Sequence, residues 1–209
     1  MGIFNSDGTQ DYPVTVHLDA PINPDRRLRF FEEPLLAAFE SEFPGSRIEE
    51  GRTLVDADDR PVSADLELVV ALDPDRFDDE LQRFVDLLDR LGAPRGSWLA
   101  VGPLEEADEY EVGRAEGIVV TLPQPGPGAE SGTLQEVAEL LRPALASDER
   151  VLGIDEFGGE TRIHLYGPDA HAMGERVGAA LDAARLPGVS VVPLVTDDEG
   201  RWLTVEVQA

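Results

Sequence analysis

The chain has 209 residues, of which 43 are Asp or Glu and 17 are Lys or Arg, for a formal net charge of −26. All the basic residues are Arg, Lys and Cys are absent, and the only histidines are His17, His164 and His171. This excludes disulfides, thiolate metal sites, Cys nucleophiles and Lys Schiff bases. It also makes binding to a nucleic-acid backbone or an anionic membrane unfavourable, whereas an apolar content of 42% is enough to build a core.

Residues 1–13 have no basic or apolar run, so no signal peptide is expected and the expected location is cytoplasmic. Tyr12 to Leu18 reads as a strand, followed by a Pro-rich loop, Asp19 to Pro24. Leu28, Phe31, Leu35, Phe39 and Phe43 mark a helix that the interior Pro34 should kink or divide. A hairpin with its loop near Asp56 to Pro61 leads into a strand, Asp65 to Leu72. The clearest helix comes next. Asp73 caps it, Pro74 takes the first position, and Asp78, Asp79 and Glu80 load its first turn. Phe77, Leu81, Phe84, Val85, Leu88 and Leu91 form its apolar stripe, and Gly92 and Pro94 end it. A strand from Ser97 to Val101 closes the first half.

An acidic stretch with few apolar anchors, residues 104–116, is expected to be a connector. The pattern then repeats. Gly117 to Leu122 is a strand and Pro123 to Gly132 a Pro/Gly loop. A helix with a capping box at Thr133 and Glu136 follows, carrying Leu134, Val137, Leu141, Leu145 and an interior Pro143. A hairpin turns at Gly158-Gly159 into Thr161 to Tyr166. Pro168-Asp169 opens a helix through Met173, Val177, Ala180, Leu181 and Ala184, and Val189 to Val195 is a further strand. A turn from Thr196 to Gly200 adds a last strand, Arg201 to Val207. The order β-α-β-β-α-β, stated twice, predicts an α+β protein of two tandem ferredoxin-like units, antiparallel sheets with helices on one face. The units should span residues 11–103 and 117–209.

Strand alternation assigns the faces. Val14, Val16 and Leu18 should point at the helices and His17 away from them; Leu66, Leu68 and Val70 point inward, leaving Asp65 and Glu67 outward. Ile163 and Leu165 point inward, leaving Arg162, His164 and Tyr166 outward, and Trp202 also falls off the helix side. These seven outward residues, His17, Asp65, Glu67, Arg162, His164, Tyr166 and Trp202, are the candidate binding residues. One face is acidic and the other carries Arg, His and aromatics, of which Tyr, Trp and Arg are the usual anchors of protein interfaces. Both a recognition surface and a buried seam between the sheets fit this pattern.

No motif supplies catalysis. The histidines have no H-x-x-x-H or H-E-x-x-H spacing, and no Ser sits in G-x-S-x-G. A calcium loop counted from Asp56 fails because its sixth position is Pro61 rather than Gly. Gly126-Pro127-Gly128 lacks the Lys and the spacing of a phosphate loop. No enzyme activity, metal or cofactor is expected.

The segments Phe31-Glu32-Glu33-Pro34-Leu35, Gly51-Arg52-Thr53-Leu54, Asp65-Leu66-Glu67-Leu68 and Gly92-Ala93-Pro94-Arg95-Gly96-Ser97 resemble a pattern in small, acidic, uncharacterised bacterial proteins. Phe157-Gly158-Gly159 and Leu165-Tyr166-Gly167-Pro168-Asp169-Ala170 are similar to another such pattern. Some proteins of this sort resemble immunity proteins of bacterial toxin systems, which implies binding rather than catalysis. The charge points the same way, since an acidic surface steers basic proteins. The expectation is a non-catalytic protein-binding module, an immunity-type inhibitor of a basic partner. The alternative is a regulatory protein sensing a small molecule between its two units. Oligomeric state is left open by the sequence.

Overall fold

A computed structural model describes residues 8–103, 107–123, 137, 140–185, 188–196 and 202–204. The chain forms two compact units, Met1–Arg114 and Ala115–Ala209. The first contains β1 (Gln10–Leu18), α1 (Pro24–Arg27), a π-helical segment Leu28–Glu32, α2 (Glu33–Ser41), β2 (Arg47–Val55) and β3 (Pro61–Leu72). A 3-10 turn, Pro74–Arg76, then leads to α3 (Phe77–Arg90), β4 (Trp98–Val101) and β5 (Asp108–Glu111). The second contains β6 (Glu116–Pro123), β7 (Arg150–Phe157), β8 (Glu160–Gly167), α4 (Ala170–Ala184), β9 (Ser190–Thr196) and β10 (Trp202–Thr204). The strand orders are β2-β3-β1-β4-β5 and β10-β9-β6-β8-β7, so one sheet repeats the other. Every pairing is antiparallel. This is an α+β chain of tandem ferredoxin-like units.

The helix signals act as their chemistry requires. Asp73 accepts a hydrogen bond from the Asp75 amide at 2.9 Å, and Leu81, Phe84, Leu87 and Leu88 are buried along α3. Gly92, at φ 77°, ends α3, with the Ala93 amide donating back to the Leu88 carbonyl at 3.1 Å. Asp169 caps α4 by accepting from the Ala172 amide at 2.9 Å. Pro34 divides the first helix in a specific way. Its ring has no N–H and crowds the carbonyl four residues back, and the turn ahead of it widens to a π-helix in which Glu33 N–H reaches Leu28 O.

In the first unit Val14, Val16, Leu18, Leu66, Leu68 and Val70 are buried, as are Phe31, Leu35, Phe39 and Phe84 on the helices. Phe84 meets Phe39 and Phe43 at 6.3 and 5.5 Å between centroids. The second core joins Ile118, Val120, Leu122, Ile163 and Leu165 to Met173, Val177 and Leu181 of α4. Val137 and Leu141, in helical backbone, complete it. The capping box at Thr133 and Glu136 and the loop at 124–132 lie outside the described residues.

Two features were not foreseen. Residues 108–111 of the expected connector form β5, an edge strand paired with β4, and the boundary between units falls at Arg114 and Ala115. The acidic residues are no obstacle, because an edge strand needs only one partner strand and its carboxylates stay in water. Each unit therefore carries a fifth strand after its fourth. Secondly, both second strands contain a β-bulge at the same step of the ladder. In the first unit Ile48 pairs with Leu68 and Glu50 with Glu67, so Glu49 is the extra residue. In the second, Val151 pairs with Leu165 and Gly153 with His164, so Leu152 is the extra residue.

Candidate functional site

The helix-free face of the first sheet collects the polar candidates. Directly opposed residues share a face, and the ladder places Arg52 beside Asp65, Asp65 beside His17, His17 beside Trp98, and Trp98 beside Glu111. One row thus crosses five strands. The next row is Glu50, Glu67, Thr15, Ala100 and Glu109. His17 Nδ1 lies 2.7 Å from Asp65 Oδ1, with side-chain exposures of 20% and 28%. An ionised carboxylate only accepts, so Nδ1–H is the donor and the ring is fixed in one orientation. The Trp98 ring stacks on it at 5.1 Å and 15°. The centre of the face is therefore a preorganised, partly buried aromatic pair on the middle of a sheet.

Acid dominates around that pair. Arg52 forms a two-pronged bridge to Glu50 at 2.7 and 2.6 Å and reaches Glu67 at 3.2 Å. The Arg52 guanidinium holds the Glu50 carboxyl below the usual carboxylate range, and Arg52 is raised in turn. Arg47 is bonded to Glu49 and Asp11 at 2.7 and 3.2 Å, and both raise it. Both arginines on this face are thus committed to carboxylates, whereas Glu109 and Glu111 make no ion pair among the described residues.

The structure brings His17, Asp65 and Glu67 together on this face. Arg162, His164 and Tyr166 form a second group, along β8 on the helix-free face of the second sheet. That group is not an exposed patch. Tyr166 is 1% exposed and lies across Gly117, where an added Cβ would come within 2.8 Å of its ring. His164 Nε2 is 2.6 Å from Asp155 Oδ2, both side chains are 9% exposed, and His164 Nδ1 meets no hydrogen-bond partner among the described residues. Arg162 is half-exposed near Glu160. Trp202 pairs with Thr196 through the β10 backbone. His171 is exposed beside Glu175, and no cluster of three ligating side chains occurs among the described residues.

Sequence reasoning missed Trp98, Arg52 and Asp155. Trp98 precedes the buried Leu99, so alternation alone places it on the outer face. Asp155 is found by counting back from the Gly158-Gly159 turn, which sets Phe157 against Glu160 and Asp155 against Arg162.

Beside this face, α3 and β5 flank a groove of about 520 Å³ lined by Gln82, Val85, Asp89, Tyr110 and Val112 among others. Burial, with Asp108 and Asp78 nearby, raises the Tyr110 hydroxyl above its ordinary value. Asp89 accepts from the Gly113 amide at 2.8 Å and from Arg114 at 2.7 Å, tying the end of β5 to the helix.

No known family profile and no curated protein matches the chain. Solved structures give distant likenesses. An unknown protein from Galdieria sulphuraria is 11% identical, covering 90% of this chain and 99% of its own, with a TM-score of 0.26. The regulatory subunit of aspartate kinase from Thermus thermophilus is 10% identical over 81% and 92%, at 0.27. A microcompartment protein from Desulfitobacterium hafniense is 14% identical over 88% and 94%, at 0.26. Likenesses at this level carry no functional argument.

Proposed function

We propose that the chain is a non-catalytic protein-binding module whose contact surface is the open face of the first sheet and whose partner is cationic. The observation that carries this reading is the row Arg52, Asp65, His17, Trp98 and Glu111, a rigid aromatic centre with carboxylates on both flanks. A stacked Trp gives contact area at little entropic cost, and surrounding acids steer a basic partner and disfavour acidic ones. An immunity-type inhibitor of a basic toxin is the finer form of this reading, since such an inhibitor needs affinity and fast association rather than chemistry.

The test is to capture the partner from the source cells, purify it, and compare its affinity for the wild-type chain and for Trp98→Ala and Glu67→Arg. Trp98→Ala should weaken binding about tenfold or more, the usual scale for an anchor residue. Glu67→Arg should slow association, and added salt should slow the wild type in the same way. An affinity indifferent to both substitutions and to salt would overturn the assignment.

A second reading, a regulatory domain for a small molecule, is favoured by one observation, the buried His164 Nδ1 without a described partner. A buried polar atom without a partner costs stability that a ligand donor would recover. Thermal-shift screening against amino acids and small anions should then find a compound that raises Tm in the wild type and not in His164→Phe. A screen with no such compound would dismiss this reading.

A further inference from the structure

β5 ends the first sheet, and its outer edge faces no strand among the described residues. Which backbone groups point outward follows from one bond. Val112 N–H donates to Ser97 O at 2.9 Å, which makes that pair hydrogen-bonded in an antiparallel ladder. Hydrogen-bonded pairs alternate along such a ladder, so Tyr110 and Asp108 direct their N–H and C=O groups toward β4. Glu109 and Glu111 therefore direct theirs outward. Their side chains lie on the open face, while Tyr110 faces the helix side and lines the groove against Val85.

An edge of this kind is a template for another strand. Its chemistry selects the guest. A second copy of this chain pairing β5 to β5 would oppose Asp108, Glu109 and Glu111 with the same carboxylates, and like charges directly opposed destabilise a ladder. A cationic strand would meet the opposite charge at every position on that face. Its alternate side chains would turn toward the groove of about 520 Å³, where apolar groups could cover Tyr110 and Val85. The platform is fixed. Gly113, at φ 94°, packs so close to Pro94 that a Cβ would sit 1.8 Å from the Pro94 carbonyl oxygen, and Asp89 holds both Gly113 and Arg114.

We propose that the outer edge of β5 binds an extended segment of a cationic partner by strand addition, its basic side chains lying over Glu109 and Glu111 and its alternate apolar side chains entering the groove beside Tyr110. This rests on the binding-module reading above and names the part of the partner that would dock.

The probe is an N-acetylated, C-amidated heptapeptide alternating lysine and valine, titrated into the full chain while backbone amides are followed by NMR. Hydrogen exchange at Glu109 and Glu111 should slow at least tenfold. The same peptide N-methylated on the amides of one edge keeps its charge and should bind at least tenfold more weakly. Glu111→Pro removes an outward N–H that the sheet does not use, so it should abolish binding with Tm unchanged. Equal binding of the N-methylated peptide would overturn the proposal, and that measurement needs no altered protein. Peptide-induced shifts at His17 and Trp98 with unchanged exchange at Glu109 and Glu111 would also overturn it while leaving the open-face reading intact. No response anywhere at low salt would overturn the edge site alone, since the captured partner tests the face separately.

Discussion

Glu149 shows how much a single side chain organises in the second unit. Its carboxylate is buried, accepts from the Ala146 amide at 2.7 Å and pairs with Arg176 of α4, so the loop before β7 is held against the helix. Gly167 makes room for it, because a Cβ there would sit 2.5 Å from Glu149 Cγ. Gly167→Ala should cost about 1–3 kcal/mol, the usual scale of overpacking, and lower Tm accordingly. An unchanged Tm would mean that the Glu149 side chain moves aside freely. Little of this was legible in the sequence. Glu149 is one of many acids in the chain, and nothing linear distinguishes a buried carboxylate from a solvated one. His17 and Asp65 were legible as neighbours on one face, since alternation gives that much. That Nδ1 is the bonded nitrogen and that Trp98 lies over the ring depend on registers which alternation does not supply.

Among the elements, the hairpin joining β2 and β3 is shaped by one carboxylate. Asp56 accepts from the Asp58 and Arg60 amides at 2.9 and 3.1 Å and from Arg60 Nε at 2.8 Å. The Arg60 side chain, followed by those amides, holds the Asp56 carboxyl below its ordinary value. A lowered folded pKa gives a contribution that is full above the unfolded value, about 3.9, and is lost as pH falls through the lower folded one. Asp56→Asn should therefore flatten the fall in stability as pH drops below about 4. A mutant with the same acid profile as the wild type would refute that origin. Asp59 in the same turn adopts φ 60°, and Arg185 ends α4 at φ 54°, conformations that favour glycine. Asp59→Gly and Arg185→Gly should each raise stability by up to about 1 kcal/mol, read from urea midpoints. Lower midpoints would show that side-chain contacts at these positions outweigh the backbone strain. Helix ends were the most legible elements because Asp73, Asp169 and Gly92 act locally. β5 was not legible, since pairing to β4 supplies a stability that its own acidic sequence does not reveal.

The whole molecule is a repeat of two sheets with the same strand order, and each unit has its own buried apolar cluster. Residues 1–114 expressed alone should consequently melt cooperatively and retain the open face, including the stacked His17 and Trp98. A fragment without a cooperative transition would show that the first unit needs the second. The repeat was readable from element order because each strand and helix carries its own periodicity. The charge of −26 was equally plain, but composition says only that association should be salt-dependent, and the face that receives a partner is set by the ladder.

The shared bulge has a consequence for parity. Residues five apart on a regular strand point to opposite sides, yet Arg47 and Arg52 both stand on the open face, opposite Val69 and Asp65. Arg150 and Asp155 repeat the arrangement opposite Tyr166 and Arg162. One supernumerary residue in each strand inverts the odd-even count halfway along. Shortening β2 by Glu49 alone would leave Arg47 and Arg52 four residues apart, so a regular strand would keep Arg47 on the open face and Ile48 against the core. The strand is thus written in two phases, and Glu49 and Leu152 are the syllables that join them.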